Sequence, residues 1–248
     1  MIKFFRKIRQ KLIVENRFNK YLLYAFGEII LVVIGILIAL QVNNWNQRRL
    51  EKDEMHSYYN KLNEEVEEQI LVLQKLIESE SSLVKKQKRT LQILASKNQD
   101  SIPELLENIG SLATAWTNNL SYETFDEFLQ QGLLIKVEKK ELKQSLLQLR
   151  DGLIFLERGD AYVDNQYNTL IEPFFAKHIN YSKAALPIYR EDFVIGGPQT
   201  DFNFLFESME LWNVATLKLE TTQGNLRTLK TLLTLLEKLK KQFHEEMH

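Results

Sequence analysis

The chain has 248 residues, with 32 Lys and Arg against 33 Asp and Glu and no cysteine. The lack of cysteine excludes a disulfide framework, cysteine zinc sites and a cysteine nucleophile. Nine glycines and four prolines are too few for a loop-rich or all-β architecture.

The net charge of −1 conceals an uneven distribution. Residues 1–20 carry seven basic groups and one acid, Glu28 stands alone in an apolar run, and residues 43–248 carry 25 basic and 31 acidic groups. A basic head, an apolar run and a mildly acidic body describe a membrane-anchored protein with no nucleic-acid partner.

In residues 1–20, Phe4, Phe5, Ile8 and Leu12 cluster on one side of a helix drawn at about 100° per residue, while Lys3, Arg6, Lys7 and Lys11 take the other. This predicts a basic amphipathic helix on the cytoplasmic leaflet, with Arg9 breaking into its apolar side. A charged topology signal with no helix of its own is the alternative.

Residues 21–42 follow as the predicted transmembrane helix. From Leu22 to Val42 there is a single charge, Glu28. Those 21 residues span about 31 Å as a helix, against a hydrocarbon core of about 30 Å. Tyr21 and Tyr24 near one end and Trp45 past the other are expected as interface anchors. No A-x-A site follows Ala39, which favours an uncleaved anchor over a signal peptide. Seven Lys and Arg precede the span and four, Arg48, Arg49, Lys52 and Lys61, lie within the next twenty residues. That asymmetry places the N-terminus in the cytoplasm and the body outside.

Within the span Ala25, Glu28, Val32, Gly35 and Ala39 recur at alternating three and four spacing, continued by Val42 and Asn46. They make one stripe, and Gly35-xxx-Ala39 is a small-xxx-small pair that lets two helices approach closely. The stripe is read as an association seam, with Glu28 either buried between helices or reaching the inner headgroups.

The opening M-I-K-F-F-R-K-I-R-Q-K-L and the run K-Y-L-L-Y-A-F-G-E-I-I-L-V-V-I-G-I-L-I-A-L-Q-V-N-N-W-N resemble an uncharacterised family of short single-pass membrane-anchored proteins from Bacteroidetes-type bacteria. The match is close over residues 1–50 and loose afterwards. Ser121 to Ile135 resembles the family's central stretch, with Gln130 and Gln131 where two serines would be expected. The resemblance implies an inner-membrane protein with a helical periplasmic domain, and no activity.

Residues 43–248 form the predicted extracytoplasmic domain. From Trp45 to about Lys97 there is no Gly or Pro. Tyr59, Leu62, Val66, Leu73, Ile77, Val84, Leu91 and Leu94 keep a three–four spacing, with polar Gln69 and Glu80 on the same seam. This predicts a long amphipathic helix continuous with the membrane helix. Ser101, Pro103 and Glu104 suggest a capping box opening a short helix.

A second short helix, Tyr122 to Gln131, should end at Gly132. A third long helix runs from Glu138 to about Ile171, weakened at Gly152 and Gly159 and ended or kinked by Pro173. Pro187 and Gly196-Gly197-Pro198 mark the loop. Asp201 caps a last helix through about Phe243 whose apolar face includes Leu205, Met209, Trp212, Leu229, Leu236 and Phe243. The expected fold class is all-α, an antiparallel helical bundle with long helices on a membrane anchor.

His244-Glu245-Glu246-Met247-His248 matches H-E-x-x-H, two histidines at i and i+4 with a glutamate as base. Its place in the last turn, with no residue after it to supply a third ligand, argues for an accidental match. His56 and His178 have no spacing partner, and no G-x-S-x-G, P-loop or G-x-G-x-x-G occurs. The aromatic run Tyr162, Tyr167, Phe174, Phe175 and Tyr181 reads first as core and second as a ligand or partner surface.

No catalytic residue, metal or cofactor is therefore expected. The expected partners are the lipid bilayer, a second copy of the chain and another envelope protein. The expected role is an interaction or scaffolding module of the cell envelope. The alternative is a ligand-sensing subunit that signals through a separate membrane partner, because about twenty cytoplasmic residues leave no room for an output domain.

Overall fold

The computed structural model describes residues 18–114 and 120–247, and side chains from 22 onward except that of residue 24. The basic amphipathic segment, the Tyr21 and Tyr24 side chains and His248 lie outside the described residues. No strand occurs among those described, and the chain divides into two compact units, one ending at Ser57 and the other beginning at Tyr58.

Helix α1, Phe18–Ser96, is one uninterrupted element of 79 residues. It holds the apolar span and the amphipathic segment together, as the absence of Gly and Pro after Trp45 predicts. In the second unit its stripe of Tyr59, Leu62, Val66, Leu73, Val84 and Leu94 is buried, and the polar seam residues Gln69 and Glu80 are buried with it. Lys97 follows in the left-handed region at φ 51 and closes the helix.

Helix α2, Ile102–Asn108, begins with Pro103 in its first turn, but Ser101 makes no capping hydrogen bond. Glu104 instead forms an ion pair with Arg89 at 2.5 Å, and the side chain of Asn98 accepts from the Asp100 amide at 3.0 Å. The expected capping box is thus replaced by a tertiary ion pair and a cap three residues upstream. A 3-10 turn, Ile109–Ala113, completes this corner and is buried throughout.

Helix α3, Glu123–Gln130, ends through Gly132 in the left-handed conformation at φ 70. Its N-terminus lacks a local cap. The Glu65 carboxylate of α1 accepts from the Thr124 amide at 2.7 Å and the Phe125 amide at 3.1 Å. A residue about sixty positions away therefore satisfies the first-turn donors that a serine or aspartate satisfies locally elsewhere. Gln131 accepts from the Tyr58 hydroxyl at 2.9 Å, giving one of the two glutamines before the glycine a packing role.

Helix α4, Lys140–Gln166, passes into a π-helical turn, Tyr167–Ile171, and then into α5, Glu172–His178. The helix does not end at Pro173. The wide turn before the proline absorbs its missing N–H and gives its ring room. The same turn rotates the face that follows, so Ile171 is buried and Leu170, expected on the apolar side, is 43% exposed.

Pro187 opens a short helix, α7, Pro187–Arg190, after α6, Tyr181–Ala184. The loop beyond is tied at its base by the Asn180 amide group, which donates to the Gly196 and Pro198 carbonyls, each at 2.7 Å.

Asp201 caps α8, Phe202–Glu207, by accepting from the Phe204 amide at 3.1 Å. The last helix is not continuous from there. Ser208 is extended and caps α9, Met209–Met247, by accepting from the Leu211 amide at 3.1 Å. The break advances the phase of α9, so Leu211, Val214 and Ala215 enter the core. Met209 and Trp212, expected there, are 70% and 40% exposed.

The long helices meet in a fixed register. Tyr59 packs on Phe243 with ring centroids 5.8 Å apart, Glu67 pairs with Lys240 at 3.0 Å, and Glu80 faces Lys218 and Asn225. Residue numbers rise along α1 as they fall along α9, so the two run antiparallel. Lys139, before α4, pairs with Glu246 at 2.8 Å, and Gln166 donates to Thr221 at 3.1 Å, so α4 also runs antiparallel to α9.

Gly110 lies where the 3-10 turn presses on the chain entering α7. A Cβ there would stand 2.8 Å from the Leu186 nitrogen and 2.9 Å from the Ala185 carbonyl carbon, both backbone atoms. Gly110→Ala is expected to destabilise the body by about 2 kcal/mol through overpacking, read as a lower urea midpoint.

Candidate functional site

Three regions carry the chemistry available to the described residues. The first is the apolar span at the start of α1. Its most apolar window has a mean hydropathy of 2.5, and none of that window is buried inside the protein. Val32, Gly35 and Ala39 are exposed, Ala25 and Glu28 are half-buried, and a Cβ on Gly35 would meet nothing within 4 Å. Past the span, the Arg49 guanidinium lies over the Trp45 ring at 5.6 Å and donates to Asn46. A helix of this length and composition fits a membrane anchor or a signal sequence.

The second region is a charged centre inside the body. Glu80 of α1 is 4% exposed and Lys218 of α9 is 3% exposed. Burial dominates at both positions. It pushes the Glu80 carboxyl up to about 7, Asp160 on α4 adds to the rise, and Lys218 and a hydrogen bond with Asn225 oppose it. Burial also draws the Lys218 ammonium below its ordinary value, with Glu80 opposing. Each group partly offsets the effect of burial on the other, without outweighing it.

The third region is a groove between α4 and α9, of about 1100 Å³. Gly152 and Gly159, one face of α4 seven residues apart, and Gly224 of α9 lie along it, with Leu156 and Leu232 in its floor. A Cβ on Gly159 would meet nothing within 4 Å, and one on Gly152 or Gly224 would only reach a side chain at 4.0 or 3.9 Å. None of the three has a positive φ. Neither backbone conformation nor helix packing requires glycine here, although each costs about 1 kcal/mol of helix stability against alanine. What the three have in common is the space they leave.

The sequence motifs distribute differently. His244 and Glu245 are exposed at the end of α9, and Glu246 is engaged by Lys139. No group of three or more His, Asp or Glu suited to a metal ion occurs among the described residues. His178 stacks between Phe174, at 4.9 Å, and Phe204, at 4.7 Å, as part of an aromatic cluster. Phe174 and Phe175 are core, whereas Tyr162 is 57% exposed and lines the groove. The aromatic run thus divides between core and exposed positions.

Sequence reasoning missed the charged centre and the groove. Glu80 was visible only as a polar interruption of the seam, and Lys218 gave no signal. Gly152 and Gly159 were visible as two weak points in a helix, and their spacing of two turns was the clue that they share a face.

A protein family described as "Family of unknown function (DUF6090)" matches residues 28–129, less than half of the chain. The matched stretch runs from Glu28 in the apolar span through α1 and α2 into α3, so the similarity extends well past the opening residues. It stops short of α4 and α9. No curated protein and no solved structure matches the chain.

The charged centre makes stability depend on pH. Folded Glu80 holds its proton where the unfolded chain has released it, so its contribution is full below the ordinary glutamate value and lost as pH rises towards 7. Over that window the loss amounts to about 3 kcal/mol. The urea midpoint should fall between about pH 4.5 and 7.5, and Glu80→Gln, which keeps the shape and the bond to Asn225, should flatten that slope. Equal slopes in the two proteins would refute the assignment.

Proposed function

We propose that this chain is a single-pass, inner-membrane-anchored protein of Bacteroidetes-type bacteria. In this reading the N-terminus is cytoplasmic and an antiparallel helical bundle stands in the periplasm. The bundle acts as an interaction and scaffolding module of the cell envelope, and the protein self-associates through its membrane helix.

The observation that carries the reading is the apolar span, none of whose most apolar window is buried, in the same helix whose later residues fill a core. A soluble protein would not leave Leu23, Leu31 and Ile38 each more than half exposed in water. The helix runs through Ala39 and Trp45 without a break, leaving no extended stretch for a signal peptidase, which supports an anchor. The Lys and Arg excess before the span supports the orientation.

A ligand-sensing subunit is the second reading, and the groove between α4 and α9 is what favours it. Such a subunit would signal through a separate membrane partner.

A reporter fused after His248 should be active when it is a type that works only in the periplasm and silent when it is a cytoplasmic type. Protease added to spheroplasts should degrade the body. A protected body would overturn the orientation.

Self-association is tested on the Ala25–Glu28–Val32–Gly35–Ala39 stripe. The chain has no cysteine, so a single Val32→Cys reports crosslinks from one place only. Copies carrying it should form a disulfide dimer in membranes. Gly35→Leu should cut the yield at least fivefold by parting the backbones, whereas Glu28→Gln and Ile34→Ala should leave it largely intact. A dimer yield no greater than that from a cysteine at Ile34, on the opposite face, would remove the seam.

A further inference from the structure

The groove between α4 and α9 has more than space. In the register set by Lys139 with Glu246 at one end and Gln166 with Thr221 at the other, Arg158 of α4 and Arg227 of α9 stand opposite each other. Both line the groove. The Arg227 side chain folds back along its own helix, with Nη2 3.9 Å from where a Cβ on Gly224 would be. Neither guanidinium has an ion-pair partner among the described residues, and Glu220, the one acid in the lining, is two helical turns from Arg227. Both arginines are exposed and stand at the same level of the groove, so an anion bound at that level gains a charge-assisted contact from each.

The lining beyond the arginines is mixed, with Gln148, Thr228 and Thr231 set among apolar residues. From the arginines towards Leu235 the wall is Phe155, Gly152, Leu232 and Leu235, about 12 Å along the helix axis. Phe155 is 64% exposed although it lies at the groove. At the other end Gln166 is 4% exposed, donates to Thr221 of the lining, and its Oε1 accepts no hydrogen bond. The arrangement is a cationic level beside a largely apolar trough, with Gly159 at the arginine level and Gly152 further along leaving backbone uncovered.

We propose that this groove binds a single-chain amphiphile with an anionic head, a free fatty carboxylate, whose head sits between Arg158 and Arg227 and whose chain runs over Gly152 towards Leu235. The site goes beyond envelope scaffolding and stands whether or not the membrane helices associate. Asn225 joins it to the charged centre, because it lines the groove and bonds Glu80. Occupancy therefore bears on the buried polar layer between α9 and α1.

The test uses the full chain in phosphatidylcholine nanodiscs and a diazirine-bearing dodecanoate as probe. Photolabelling should fall within residues 148–163 and 220–235, and unlabelled dodecanoate should compete at least tenfold better than dodecanol of the same length. Arg158→Gln with Arg227→Gln should reduce labelling at least tenfold. Gly159→Leu should abolish it by filling the groove, while leaving the urea midpoint unchanged or raised, because nothing occupies that space and leucine is the better helix former. Four results overturn the proposal: labelling confined to residues 22–42, equal competition by the alcohol, labelling indifferent to these substitutions, or an interchain disulfide from Phe155→Cys showing a second copy's helix in the groove.

Discussion

The body of this protein depends on the antiparallel contact between the later part of α1 and α9. Tyr59 on Phe243, Glu67 with Lys240 and Glu80 facing Lys218 are three points on one line of register. With that line fixed, Glu65 comes to the first turn of α3, and Gln87 comes to the corner after α2, where it donates to the Ser111 carbonyl at 3.1 Å. The short elements have weak helical credentials of their own. Ser101 does not cap α2, and α3 has no local cap. They are helical because α1 supplies what their sequences lack, which is the usual dependence of short helices on tertiary contacts.

Much of this was legible from residue spacing, and the reason is specific. A helix without Gly or Pro keeps phase, so the three–four spacing from Tyr59 to Leu94 maps onto one buried face without correction. Gly132 and Asp201 were readable because a left-handed C-cap and an N-cap are local chemistry, settled within four residues. Reading by period fails where phase is reset. The π turn before Pro173 and the break at Ser208 each rotate the following face, and so Leu170, Met209 and Trp212 were assigned to the wrong side. Both resets have a sequence trace, a proline and a serine, but neither residue states how far the helix turns.

The buried polar residues were legible as positions and not as a site. Gln69 and Glu80 were seen to fall on the apolar seam of α1, yet a seam pattern on one helix cannot say what the other helices bring to it. Lys218 sits on α9 among residues that also read as solvated, and only the register shows it facing Glu80. The groove was hidden for a related reason. A cavity is made by what is missing from two helices at once, and Gly224 gains meaning only beside Gly152 and Gly159. Its arginines are likewise ordinary surface residues until α4 and α9 are set in register.

The charged centre and the glycines are both costly in a body that could be built from leucine, and the costs have different explanations. Replacing buried charged residues with packed apolar ones is often neutral or stabilising, so stability alone does not account for Glu80 and Lys218. Buried polar positions of this kind can discriminate between registers. A slip of one heptad along α9 would carry Glu80 towards Leu229 and Leu232 and leave an uncompensated charge in the core, whereas apolar seam residues would tolerate the shift. This device needs only that the two charges be buried together. It places no demand on Gly152, Gly159 or Gly224, which could be alanine without disturbing register, packing or backbone conformation. A register argument can therefore cover the centre and does not extend to the groove, whose glycines leave space that neither packing nor backbone conformation calls for.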